Sequence, residues 1–226
     1  MYTSTGKKSA LPAILFAFFI FFACLFGFLV YYVLVLKNID LDDTVATYLT
    51  LHYNDGIGSL MKIFTGLGSA GFLVVCYVVI CSFYAFYRKN YQIVVRILVT
   101  GICGYVLMTV LKLVFHRSRP LHPLINALNT FSFPSGHTTT SIIFFGILIY
   151  LICKERIQLS TKVIWSAFLI VLGLLVGLSR VYLREHFFTD VLAGISIAYI
   201  NLYLTLLLME KVQPIRIDTG KTTKNG

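Results

Sequence analysis

Long apolar stretches separated by short polar ones set the plan of this chain. Residues 11–36 are almost wholly apolar, and further apolar stretches cover 60–86, 91–115, 135–153, 163–178 and 187–209. A helix rises about 1.5 Å per residue, so roughly 20 apolar residues cross the hydrocarbon core of a bilayer. The pattern predicts six membrane-crossing helices. The first stretch is longer than the roughly 7–15-residue apolar core of a secretory signal and shows no convincing cleavage site. It is expected to be a retained first span. The expected fold is all-α: a six-transmembrane-helix bundle in a single domain over 1–226, its membrane core at about 11–210. The polar segment 37–59 carries Asp40, Asp42, Asp43 and Asp55, with a turn at Asn54-Asp55-Gly56.

Composition agrees with this plan. The chain is 58% hydrophobic and 12% charged, with mean hydropathy +0.85, where a soluble domain is about 25% charged. Its net charge of +10 would suit a nucleic-acid partner. However, the cations stand between apolar stretches and not on one soluble face, so no nucleic acid is expected. Most read as topology determinants. With six spans, both termini share a side. That side carries Lys7, Lys8, Arg88, Lys89, Lys154, Arg156, Lys162, Lys211, Arg216, Lys221 and Lys224. The other carries Lys37, Lys62, Lys112, Arg117, Arg119, Arg180 and Arg184, five of them in two segments that have another use. The bias places both termini in the cytoplasm and the segments 112–137 and 180–186 outside.

Smaller features follow. Cys24, Cys76, Cys81, Cys103 and Cys153 lack metal-ligand spacing and are expected to be buried free thiols. Gly66, Gly68 and Gly71 in the second span, and Gly173 and Gly177 in the fifth, suit close helix approach. Arg96, near the start of the third span, is expected to snorkel to the interface.

Three polar segments on the outward side carry candidate chemistry. In the first, Lys112 precedes Arg119 by seven residues, close to two helical turns, and Pro120 is expected to end the helix. Alone, these could be helix-terminal cations serving the dipole. The second is Pro134-Ser135-Gly136-His137. Ser135 suits an N-cap, Gly136 permits a close ligand, and the following apolar run makes a helix N-terminus that attracts anions. His137 falls in its first turn. The third segment holds Arg180, Arg184, Glu185, His186 and Asp190. His186 and Asp190 are four apart and would meet on one helical face. A carboxylate there fixes the imidazole tautomer and raises its basicity. Together the segments supply three cations, a helix N-terminus and two histidines, the equipment of phosphoryl transfer.

Lys112 with Arg119-Pro120, then Pro134-Ser135-Gly136-His137, then Ser179-Arg180 with His186 and Asp190, resembles the three-part signature of the type 2 phosphatidic acid phosphatase superfamily. Every signature residue and spacing matches. The segment 37–59 and the stretch Phe64-Thr65-Gly66-Leu67-Gly68-Ser69 resemble the bacterial branch that includes phosphatidylglycerophosphatase B and undecaprenyl pyrophosphate phosphatases. The resemblance implies a membrane hydrolase of lipid mono- or diphosphates in a bacterial cytoplasmic membrane. His186 would be a nucleophile that forms a phosphohistidine, and Asp190 would orient it. Lys112, Arg119, Arg180, Ser135 and Gly136 would hold the phosphate, and His137 would protonate the leaving oxygen. No cofactor or metal is implied. Nothing carries over to His116, His122, Arg117, Arg184 or Glu185. The two histidines read as interfacial, and Arg184 with Glu185 as a surface pair or headgroup contact.

Other readings are weaker. His116, His122, His137 and His186 lack metal-site spacing, and nearby cations would repel a metal. The motifs also resemble those of soluble vanadate-dependent haloperoxidases, which the membrane spans disfavour, and of glucose-6-phosphatase, which the compact length disfavours. A non-enzymatic transporter that reads phosphate would not need His186, His137 and Asp190 intact.

Overall fold

The described residues form eight α-helices, three of which are capped at their N-termini by the side chains of Asn54, Ser69 and Asn90. The computed structural model describes residues 10–125 and 130–212; segments 1–9, 126–129 and 213–226, with Lys7, Lys8, Arg216, Lys221 and Lys224, lie outside them. The helices are α1 (Leu11–Val30), α2 (Asp40–Leu51), α3 (Asp55–Leu67), α4 (Ala70–Ser82), α5 (Tyr91–Phe115), α6 (Gly136–Lys154), α7 (Leu159–Tyr182) and α8 (Phe188–Val212). Wider π-helical turns extend α1 through Tyr31–Val35 and α4 through Phe83–Tyr87. Six segments are long and apolar enough to cross a membrane: Leu11–Val35, Ala70–Tyr87, Tyr91–Phe115, Gly136–Lys154, Leu159–Tyr182 and Phe188–Val212.

The second span starts later than the sequence pattern predicts. Residues 60–69 belong to α3 and its turn instead. The Asn54 side chain caps α3 by accepting from the N–H groups of Gly56 (2.8 Å) and Ile57 (3.2 Å). Glycines at 66 and 68 weaken the helix, and Ser69 starts α4 by accepting from Phe72 N–H at 3.4 Å. The polar segment 37–59 is therefore mostly helical, and α2 and α3 join the first two spans at one end of the bundle.

The third span covers the expected residues, but its helix does not run on to Pro120. It stops at Phe115, where His116 takes a left-handed conformation (φ 49°) and returns its N–H to Lys112 O. Lys112 and Arg119 thus do not share a helix. The chain beyond His116 folds back, closing through Ser132 N–H to Arg117 O at 2.8 Å.

Helix α6 is the centre of the bundle, packed on α5, α7, α8 and α4. Its inner half contributes Ile143, Phe144, Phe145, Ile147 and Leu151 to the apolar core. Its first turns carry buried Thr138, Thr139 and Ser141. Small residues bring the helices together there. A Cβ on Gly194 would lie 3.0 Å from Ser135 O, and one on Gly177 would lie 3.0 Å from Val191 and 3.4 Å from Thr138. Packing between membrane helices depends on such close approach, because lipid is as apolar as leucine. Gly173 plays the same part against Ile142 (3.2 Å), and Gly68 backs onto Val176. Gly66 and Gly71, expected at helix contacts, face open space.

Three further expectations change. Cys24, Cys103 and Cys153 are exposed and Cys76 and Cys81 half-buried; all five are free thiols. A thiol is apolar enough to face lipid and gains little from burial there. Arg96 does not snorkel. It is 1% exposed and donates to Tyr150 Oη (2.8 Å) and Met209 O (3.1 Å). It points inward from α5 to α6 and α8, where protein acceptors replace the interface. With the Arg88–Glu155 pair (3.1 Å) and the Lys154–Glu210 pair, it holds together the end of the bundle away from the three motifs.

Candidate active site

The end of α5, the start of α6 and the α7–α8 junction meet at the opposite end. His186 lies in the junction, ahead of α8, and Asp190 in the first turn of α8. They do not share a helical face. The loop turns the imidazole back onto the helix start, leaving Nδ1 3.3 Å from Asp190 Oδ2. The same oxygen accepts Phe187 N–H at 2.9 Å and the Ser132 hydroxyl. Ser132 Oγ is also 3.4 Å from His186 Nδ1. An acidic oxygen facing Nδ1 favours the tautomer with the proton on Nδ1. The lone pair on Nε2 then faces Arg119 Nη1 at 3.4 Å.

Arg119 is held by the returning loop, donating from Nε to Thr130 O (2.7 Å), from Nη2 to Thr130 Oγ1 (2.8 Å) and from Nη1 to Glu185 O (2.8 Å). Lys112 Nζ donates to Phe131 O at 2.5 Å. A cavity of about 670 Å³ opens beside His186, with Lys112, Arg119, Gly136 and His137 on its polar wall. It continues between α4 and α5 along apolar residues including Leu73, Val78, Leu98 and Ile102.

The remaining expected site residues stand behind this wall. Arg180 is 1% exposed and donates to Thr65 Oγ1 (2.5 Å) and Glu185 Oε2 (3.2 Å). Ser135 occupies the N-cap position of α6, but its hydroxyl accepts from Thr138 Oγ1 at 2.9 Å and caps no backbone N–H. Its own N–H donates to Asp190 O at 3.0 Å, tying α6 to α8.

Glu185 corrects the sequence reading. It is not a surface partner of Arg184 but is 1% exposed, with Oε2 3.2 Å from both Arg119 and Arg180. The carbonyl at Glu185 and the turn at Arg184 (φ 56°) direct its side chain inward. Arg184 instead reaches Thr50 at 3.0 Å. Burial raises the Glu185 carboxyl above its ordinary range, against the pull of the two arginines. Burial likewise lowers Arg119, opposed by Glu185 and Asp190. His186 is lowered to about 4, chiefly by burial; Asp190 works the other way, and Arg119 and Lys112 add to the depression.

Arg117, Asp42, Ser132 and Thr65 also reach this centre. Arg117 and Ser132 flank the expected motif residues closely enough to suggest themselves. Asp42 carries no spacing signal. His116 and His122 are exposed, apart from the centre. Among the described residues, no three His, Cys, Asp or Glu side chains gather into a metal-holding group.

The profile of the PAP2 superfamily matches residues 93–214, which contain all three motifs. This chain belongs to the PAP2 superfamily. It is a membrane phosphatase of that family, an enzyme that hydrolyses phosphate esters. It is 33% identical to phosphatidylglycerophosphatase B of Bacillus subtilis (strain 168) over 177 residues, 77% of this chain and 86% of that one. It is 32% identical to undecaprenyl-diphosphatase BcrC of the same organism over 121 residues, 51% of this chain and 58% of that one. The crystal structure of a transmembrane PAP2-type phosphatidylglycerolphosphate phosphatase from Bacillus subtilis superposes with TM-score 0.74 at 29% identity, covering 92% of this chain and 100% of that one. Aquifex aeolicus LpxE shares the fold at TM-score 0.56 and 23% identity, over 76% of this chain and 95% of that one.

Proposed function

We propose that this PAP2 phosphatase hydrolyses a lipid monophosphate or diphosphate through a phosphohistidine at His186. The observation that carries the reading is one cavity with His186, His137, Lys112 and Arg119 at its polar end and an apolar channel between α4 and α5 at the other. That combination suits an anionic headgroup on a long hydrocarbon chain entering sideways from the bilayer.

The chemistry follows from the placement. His186 Nε2 attacks phosphorus as the bond from phosphorus to the leaving oxygen breaks. His137 gives that oxygen its proton. Asp190 keeps the proton on Nδ1 and stabilises the positive phosphoimidazole. Water, deprotonated by His137, then attacks phosphorus, and Nε2 leaves with its lone pair. Lys112, Arg119 and the N–H groups at Gly136 bind the phosphate oxygens directly. Arg180 supports them through Glu185, and Ser135 through the α6–α8 tie.

The preferred substrates are undecaprenyl pyrophosphate and phosphatidylglycerophosphate. The two Bacillus subtilis relatives named for these lipids support both. Phosphatidic acid, taken with broad specificity, is the second reading. The positive-inside bias supports cytoplasmic termini and an outward-facing site. Phosphate release by the purified protein from these three lipids, beside His186→Ala, tests the reading. Turnover of at least one lipid and none in the variant is expected. Equal release by the variant would overturn the mechanism, and no release from any of the three would overturn the substrate class.

A further inference from the structure

We propose that Asp42 and Arg117 are positioning residues for this site, fixing Asp190, and through it His186, from a helix that carries none of the motifs. The proposal rests on the reading of His186 as nucleophile.

Asp42 lies on α2, among residues that face outward; it is the one buried residue of that helix, at 2% exposure. The helix therefore docks through a buried carboxylate, with Leu49 packed beside Met61, Tyr182 and Leu183. Both oxygens of Asp42 are occupied. Oδ1 accepts Thr189 N–H at 2.9 Å, and Oδ2 accepts Thr189 Oγ1 at 2.7 Å and Arg117 Nη2 at 2.7 Å. Arg117 Nη1 then donates to Asp190 Oδ1 at 2.6 Å and to Thr189 Oγ1 at 2.8 Å. Its guanidinium lies 4.1 Å from the centroid of the Phe187 ring, the neighbour of His186.

Asp190 divides its oxygens as a result. Oδ1 belongs to Arg117, while Oδ2 faces His186, Ser132 and Phe187 N–H. The fork of Arg117 fixes the rotation of the carboxylate, and so the direction of the imidazole. Charge supplies the second part of the inference. Arg117 alone would neutralise Asp190. Asp42 takes up that positive charge, so the Asp42–Arg117–Asp190 cluster keeps one net negative charge. This leaves Asp190 a full counter-charge for the positive phosphoimidazole. A tether for α2 needs no such cluster, because burying three charges costs more than burying an apolar contact.

The test compares Asp42→Asn with the parent enzyme in detergent, alone and on an Asp190→Asn background. Four quantities are read: kcat, KM for a lipid phosphate, and inhibition by vanadate and by inorganic phosphate. Vanadate mimics the transition state and needs an in-line bond from Nε2, whereas phosphate needs only the cations. The expected result is a fall in kcat of about tenfold or more with KM within about threefold, since the residue acts through another. Vanadate inhibition should weaken by a similar factor and phosphate inhibition should hold. On the Asp190→Asn background, Asp42→Asn should add little. Unchanged kcat, equal weakening of both inhibitors, or additive losses would overturn the proposal. If Asp42→Asn does not fold, Arg117→Lys, which keeps the charge and loses the fork, is judged by the same outcomes. His186→Ala with full activity would instead remove the nucleophile reading itself, whatever Asp42→Asn does.

Discussion

His186 Nδ1 lies 3.3 Å from Asp190 Oδ2 although the histidine stands outside the helix that carries the aspartate. The pairing is made by a loop turning back on a helix N-terminus. The carboxylate also accepts Phe187 N–H, so one residue both orients the imidazole and ties the loop to the helix.

This geometry sets the pH dependence. Burial brings His186 to about 4, below the 6.5 of an ordinary imidazole, against the upward influence of Asp190. With the neutral imidazole as the proposed nucleophile, kcat/KM should hold through pH 6 and fall only toward about 4. Asp190→Asn should move that acid limb lower still and reduce kcat by about 10³–10⁴-fold, as loss of the correct tautomer does elsewhere. The folded state also binds fewer protons than the unfolded chain between about pH 6.5 and 4, so this group's effect lowers stability as pH falls through that window. A pH–rate profile checks the first point, and thermal unfolding in detergent the second.

Glu185 shares one carboxylate oxygen between Arg119 and Arg180 at 3.2 Å each. Glu185→Gln leaves two guanidinium groups without their common counter-ion, a change that typically costs about 3–5 kcal/mol when buried. The variant should unfold at lower temperature without ligand. Vanadate, an anion bound against Arg119, should raise its melting temperature more than it raises the parent's.

Ile102 lines the apolar channel between α4 and α5. Ile102→Trp should narrow the channel without touching the phosphate end. KM for a long-chain lipid phosphate should rise several-fold, with hydrolysis of a short-chain, water-soluble phosphate ester unchanged. Equal effects on both would place the hydrocarbon chain elsewhere.

Leu121 is 81% exposed at the motif end of the bundle. In a background with the five native cysteines replaced, Leu121→Cys should react with an impermeant thiol reagent on intact cells. Labelling only after lysis would reverse the orientation drawn from the positive charges.

Much of this is legible in the sequence. Apolar run length alone located the spans, because a bilayer imposes a minimum length on each helix. Residue spacing picks out His186, Asp190, His137, Lys112 and Arg119, and the fold gathers them at one end of the bundle. The α3–α4 break was harder: an unbroken apolar run hides a boundary set by Gly68 and Ser69. Contacts between distant segments were illegible. Asp42 meets Thr189 across 147 positions, and no periodicity records that. Glu185 was misplaced for a related reason. A charged residue next to another charge reads as surface until a turn at Arg184 points it inward.

The central claim is the covalent bond to His186, and trapping it is the most direct test. The purified protein is mixed with a lipid phosphate labelled on its terminal phosphate, quenched within the first turnover, and analysed by peptide mapping. The account predicts label on His186 that survives alkali and is lost in acid, and none in His186→Ala. Label on another residue, or release of phosphate by His186→Ala at the parent rate, would contradict it.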